Sequence, residues 1–221
     1  MFGEKINDGP GRAQRRARAA APALVNALAS VAYECVVRAA RAAAALAPAG
    51  GGKLRRSLHA RRGIRDRYAR WGRESRDPAR PLVWMHASSV GEGLQARPVL
   101  AALRGAHAEL QLAYTYFSSS AESFARGLPV DFADYLPFDS RADAHAALDA
   151  LQPRVLAFSK LDVWHALVAA AHARDVRLAL VSATLSPRSG RRSWLARALT
   201  RDAYAAFDAV GAIDEADAER L

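Results

Sequence analysis

The sequence has a single cysteine, Cys35, so no intrachain disulfide framework holds this chain together. Its histidines and cysteine nowhere fall at zinc-ligand spacing. It also lacks the GxGxxG fingerprint of dinucleotide folds and the GxxxxGK[ST] loop that cradles nucleotide phosphates. Long apolar runs are absent as well. From Ala19 to Tyr33 there are fifteen uncharged residues, but they are alanine-rich and interrupted by Pro22 and Asn26. Crossing the hydrocarbon of a bilayer takes about 20 predominantly apolar residues, so this stretch is a poor span. Acidic residues are scarce in the first third. Residues 1–80 carry 18 basic and 6 acidic side chains, whereas the remaining residues carry 14 and 16.

The net charge of +10 therefore belongs to an electropositive amino-terminal module attached to a nearly neutral body. Such a module seeks phosphates, on lipid headgroups or nucleic acid. The body has no basic patch interleaved with aromatics, so nucleic acid is not the expected partner. Within the module, residues 1–18 read as a disordered basic tail. Residues 19–46 read as a helix that Pro22 starts. Its apolar stripe is Leu24, Leu28, Val31 and Cys35, and Glu34, Arg38 and Arg41 lie on the opposing arc. That pattern suits a helix lying on an anionic membrane surface, apolar side down. It equally suits a helix packed on its own domain, and an arginine-rich terminus is also the composition of a targeting peptide.

Residues 47–80 follow as a basic linker and helix. Ala47-Pro-Ala-Gly-Gly-Gly52 breaks the helix, and Arg55, Arg56, Arg61, Arg62, Arg65, Arg67 and Arg70 surround Leu58, Ile64, Tyr68 and Trp71. Near an anionic bilayer each cation adds on the order of 1 kcal/mol to attachment. A solvated basic helix gives the same pattern.

From Pro81 the chain alternates short apolar strands with alanine-rich helices. Strands are expected at Leu82–Ala87, Leu112–Tyr116, 133–136, Arg154–Phe158, Val176–Val181 and Phe207–Ile213. The helices between them fall at Gly91–Arg104, around Phe124, at Arg141–Ala150 capped by Asp139 or Ser140, at Val163–Arg174 and at Trp194–Tyr204. Asp214–Leu221 opens another. This alternation implies an α/β fold with a doubly wound parallel sheet over 81–221. Ligands bind such folds at the carboxyl ends of the strands. That rule selects Ser88–Gly93, Ser118–Ser120, Ser159–Trp164 and Ser182–Arg192. A six-strand unit that stops on entering a helix reads as the first half of a two-domain protein.

Glu92 would stand at the mouth of the sheet, where a carboxylate can take the proton of a substrate hydroxyl. Ser89-x-x-Glu92 is also a capping box, which accounts for the same residue by helix stability alone. His86, ending a buried strand, reads as a core or rim histidine, and Trp84, Trp164 and Trp194 as packing. Ser186, Arg188 and Ser189 form a loop whose hydroxyls and guanidinium suit a phosphate, or simply a solvated basic loop.

Several stretches resemble the 3-deoxy-D-manno-octulosonic-acid (Kdo) transferases. They are Tyr68-Ala-Arg-Trp-Gly72, Val83-Trp-Met-His-Ala-Ser-Ser-Val-Gly-Glu92, Tyr135-Leu-Pro-Phe-Asp139, Ser182-Ala-Thr-Leu-Ser-Pro-Arg-Ser189 and Asp214-Glu-Ala-Asp-Ala-Glu-Arg220. The resemblance covers about residues 54–221. It implies the Rossmann-like, acceptor-binding amino-terminal half of a GT-B glycosyltransferase, with a second, donor-binding domain needed for activity. It implies Glu92 as the general base in inverting transfer of Kdo from CMP-Kdo to a lipid A precursor, without metal or cofactor. The setting implied is the cytoplasmic face of a bacterial inner membrane. The residues expected to bind the acceptor are Ser88, Ser89, Gly91, Lys160, Asp162, Ser186, Arg188 and Ser189. One motif departs: the family's Glu-x-Glu-x-Trp-Pro is Lys160-Leu-Asp-Val-Trp-His165 here. Lys160 replaces an acid and inverts the local field, which favours the alternative of an inactive membrane-associated module. Lys160 and Asp162 also make sense as an ion pair capping the next helix.

Overall fold

The computed structural model describes residues 33–35, 37–39, 41–42, 52–160, 163–183 and 204–214. The expected tail at 1–18, most of the helix at 19–46, the loop carrying Ser186, Arg188 and Ser189, and Asp162 lie outside the described residues.

Helices α1 (Lys53–His59) and α2 (Ile64–Glu74) lead up to the first strand. Then come β1 (Leu82–His86), α3 (Val90–Ala106), β2 (Gln111–Tyr116), a single 3₁₀ turn (Ser119–Ala121), α4 (Glu122–Ala125), β3 (Phe132–Tyr135), α5 (Arg141–Leu151), β4 (Val155–Ser159), α6 (His165–His172), β5 (Arg177–Ala183) and β6 (Ala209–Ala212). The six strands form one sheet in the order β3-β2-β1-β4-β5-β6, every neighbouring pair parallel. This is the doubly wound order, with its reversal between β1 and β4.

Strands buried on both faces need near-continuous apolar runs. β2 meets that demand, with all six of its residues buried. One face is covered by α3 and α4, where Tyr114 packs edge-on against Phe124. The other face meets α2, where Tyr68 lies edge-on to both Trp84 and Phe132. A Cβ on Gly72 of α2 would stand 2.7 Å from the Ala150 carbonyl oxygen of α5, so glycine lets these two helices approach closely.

The capping of α5 separates two residues that the sequence left equivalent. Ser140 is its N-cap, accepting from the Asp143 amide. Asp139 serves α6 instead, accepting from the Ala166 and Leu167 amides at 3.2 and 3.0 Å. Burial raises the Asp139 pKa, and the hydroxyl of Tyr33, donating at 2.7 Å, opposes that rise.

Residues 33–35, 37–39 and 41–42 are helical. Their polar arc meets the α/β body: Glu34 accepts from the Arg141 amide, and Arg41 donates to both oxygens of buried Asp143. Both residues belong to the arc expected to face headgroups. The basic segment also divides. Arg65 joins Arg41 on Asp143, and Arg67 forks onto Asp134 at 2.7 and 3.0 Å. Arg55, Arg56, Arg62 and Arg70 are exposed.

Arg61 is 3% exposed. It donates to the carbonyls of Ser57, Phe117 and Leu136 and lies 4.2 Å from the Phe117 ring centroid. Burial lowers its pKa to about 10, so it stays charged at neutral pH. This cation belongs to the fold rather than to a membrane. It fastens α1 to the ends of β2 and β3.

Candidate active site

The carboxyl ends of β1, β2 and β4 are tied to one another. Beyond β1 the chain passes through Ala87 to Ser88, whose carbonyl accepts from the Phe117 and Ser118 amides at 3.1 and 2.9 Å. The end of β2 is thereby fixed to the end of β1. From β4, the Ser159 hydroxyl donates to the Glu92 carbonyl at 3.1 Å, holding the first turn of α3.

Ser89 is the N-cap of α3 and Glu92 its third residue, and the capping box is complete. The Glu92 amide donates to Ser89 Oγ at 3.4 Å. Glu92 Oε2 accepts from the amides of Ser88 at 2.7 Å and Ser89 at 3.3 Å. A carboxylate also sits favourably against the positive end of a helix. The helix-stability reading of Glu92 is therefore realised. The carboxylate is also half-buried at the sheet's carboxyl edge, the position a general base needs.

Gly93 gives α3 its close approach to the sheet. A Cβ there would meet Phe124 Cε1 at 2.5 Å and the Tyr114 hydroxyl at 2.7 Å. Gly91 has open space around it. Gly93→Ala is therefore expected to lower stability by about 1–3 kcal/mol through overpacking. Gly91→Ala is expected to be neutral or slightly stabilising, since glycine inside a helix costs about 0.5–1 kcal/mol relative to alanine. Urea unfolding of the two variants checks this, and equal midpoints would contradict it.

Lys160, just past β4, has φ 61°, and Ser182 on neighbouring β5 has φ 52°, both in the left-handed region. The Lys160 amide donates to the Val181 carbonyl at 2.8 Å. Gln152, the C-cap of α5, and Asp175 adopt the same conformation elsewhere in the fold. Trp164 packs on Phe117, ring centroids 5.3 Å apart, and edge-on to His86 at 5.8 Å. Among the described residues, its Nε1 and the Tyr114 hydroxyl are buried without a hydrogen-bond partner. Burial, and then the Glu92 charge, raise the pKa of Tyr114.

Ser88, Ser89, Gly91, Glu92 and Lys160 thus share one edge of the sheet, while Asp162, Ser186, Arg188 and Ser189 lie outside the described residues. His86 is buried beneath this edge. Two residues that the sequence did not single out belong here too, Thr115 and Phe117. Thr115 lies within β2 and Phe117 just past its end. A separate cleft of about 370 Å³ lies at the sheet's free edge, lined by Arg67, Tyr116, Glu122, Arg126, Asp134 and Tyr135. Its two arginines are paired with its two carboxylates, and it contains neither Glu92 nor Lys160.

The family described as 3-deoxy-D-manno-octulosonic-acid transferase (kdotransferase) matches residues 62–221. This chain belongs to that family. It is 35% identical over 163 residues to a 3-deoxy-D-manno-octulosonic acid transferase of Bordetella pertussis, covering 70% of this chain and 37% of that protein. A transferase of the same name from Haemophilus influenzae is 25% identical over 162 residues, covering 72% and 38%. The chain thus spans less than two fifths of the length of these Kdo transferases. Two solved UDP-N-acetylglucosamine 2-epimerases are more distantly similar. One has TM-score 0.48 and 15% identity, covering 64% of this chain and 42% of that one. The other, from Neisseria meningitidis and bound to UDP-GlcNAc, has TM-score 0.41 and 13% identity, covering 57% and 38%. The Kdo transferase match contains β1, the Ser88–Glu92 turn and Lys160.

Proposed function

We propose that this chain is the acceptor-binding half of a Kdo transferase, acting with a second, donor-binding GT-B domain. The reaction transfers Kdo from CMP-Kdo to a lipid A-type acceptor in lipopolysaccharide synthesis. Glu92 removes the proton of the acceptor hydroxyl as that oxygen bonds to the anomeric carbon. CMP leaves with the electron pair of the broken bond, and the anomeric configuration inverts. No metal or cofactor takes part. The observation that carries this reading is a half-buried carboxylate at the carboxyl edge of a parallel sheet, in a chain of this family.

Ser88, Ser89 and Gly91 line the path to that carboxylate. Lys160 and Asp162 orient the sugar hydroxyls, and Ser186, Arg188 and Ser189 grip an acceptor phosphate, which hydroxyls and guanidinium forks suit. The exposed Arg55, Arg56, Arg62 and Arg70 draw the protein to the anionic cytoplasmic face of a bacterial inner membrane. Nucleic acid is no partner in this reading. Incubating the intact protein with CMP-Kdo and a lipid A precursor tests it, with mass spectrometry detecting an added Kdo. Absence of the product in the presence of both substrates contradicts it.

A second reading, an inactive membrane-associated module, is favoured by one feature. Lys160 occupies the acid position of the family motif, while Glu92 already has a complete structural task in the capping box. Binding of the lipid A precursor without turnover is its signature.

A further inference from the structure

Beneath the candidate base runs a line of buried side chains whose polarity is determined at one end. Trp84 Nε1 lies 2.9 Å from Thr115 Oγ1, and Thr115 Oγ1 lies 2.9 Å from His86 Nδ1. His86 Nε2 is 3.0 Å from Ser88 Oγ, and the Ser88 amide donates to Glu92 Oε2. Trp84, Thr115 and His86 are each at most 1% exposed. An indole nitrogen only donates. Thr115 Oγ1 therefore accepts from Trp84 and keeps its own proton to give to His86 Nδ1, beside a Thr115 backbone hydrogen bond to the same ring. A proton given that way leaves Nδ1 bare and puts the imidazole proton on Nε2, aimed at the Ser88 hydroxyl. The ring is further confined by edge contacts with Phe158 and Trp164.

We propose that His86 is a positioning residue, locked by Trp84 and Thr115 as the Nε2–H tautomer. It donates to Ser88 Oγ and so sets the Ser88–Ser89 amides that hold the Glu92 carboxylate. The catalytic consequence rests on Glu92 being the base; the tautomer does not. Burial first, and then the nearby Arg61 charge, keep the ring neutral against a Thr115 backbone hydrogen bond that favours its charged form, with its pKa lowered to about 3. The ring therefore fixes geometry and shuttles no proton in the reaction. A shift of about 1 Å in a reacting group is enough to lose about 10²-fold in rate.

The test has two arms on the intact protein labelled with ¹⁵N-histidine. Long-range ¹H–¹⁵N correlation at pH 7 and pH 5 is expected to show His86 with Nε2 protonated and Nδ1 bare at both values. A proton on Nδ1, or on both nitrogens, overturns the proposal. Thr115→Val removes the hydroxyl proton and is expected to lower kcat by about 10²-fold while KM for the acceptor moves little. Thr115→Ser keeps the hydroxyl and is expected to restore both the tautomer and kcat. A Thr115→Val enzyme with unchanged kcat overturns the positioning role. Should the wild-type tautomer be as stated while Glu92→Gln turns over normally, it is the assignment of Glu92 as base that fails.

Discussion

Replacing Glu92 by glutamine is expected to reduce Kdo transfer by about 10²–10⁴-fold while leaving the domain folded, the range that a positioned general base contributes. The isosteric change separates the observed cap from the proposed base. Glutamine serves at the third position of a capping box, so its amide oxygen keeps the bonds from the Ser88 and Ser89 amides. It has no basic carboxylate to take a proton. Glu92→Ala removes both functions and is expected to cost a further 0.5–2 kcal/mol or so of stability, the usual scale of a lost cap. Turnover with CMP-Kdo, read beside the unfolding midpoint, distinguishes them. If Glu92→Gln retains turnover while Glu92→Ala is only destabilised, Glu92 is a cap and nothing more.

Acid is expected to weaken the domain well before its carboxylates titrate, through His86. Its folded pKa of about 3 lies below the ordinary value of 6.5, because burial and then Arg61 oppose its charge. On acidification the unfolded chain therefore takes up the proton first. Stability is complete above about pH 6.5 and falls as pH drops toward the folded pKa. At about 1.36 kcal/mol per pH unit, the loss between pH 6.5 and pH 4 is about 3 kcal/mol. Asp139, with its raised pKa, acts in the opposite sense within the carboxylate range. Urea unfolding at the two pH values measures the loss, and His86→Gln should remove about that much of the difference. Equal pH dependence in the wild type and the variant would contradict the buried neutral ring.

Much of this fold was legible because its strands are buried on both faces and read as short apolar runs. The alternation from Leu82 to Phe158 fixes the phase of every strand to within a residue or two of the observed bounds, and the parallel sheet follows from the helical crossovers. Charge misleads where packing overrides it. Arg61 looks like its neighbours in a basic run, but it falls three residues before Ile64 and seven before Tyr68, in phase with a buried face. Local capping rules offered both Asp139 and Ser140 for α5 without revealing that Asp139 turns to α6. Glu92 was visible by its motif both as a cap and as a candidate base. The line from Trp84 through Thr115 and His86 to Ser88 joins residues from two strands and a turn, and only their parallel register brings them together.

The central claim is that the Glu92 carboxylate meets the sugar alcohol that attacks the donor. A structure of the intact protein with a lipid A-type acceptor bound tests it most directly. The reactive hydroxyl is expected at about 2.6–3.2 Å from a Glu92 carboxylate oxygen, the reach of a proton-transferring pair. An acceptor bound at the β3-edge cleft, or a hydroxyl facing some other base while Glu92 does no more than cap α3, would contradict it.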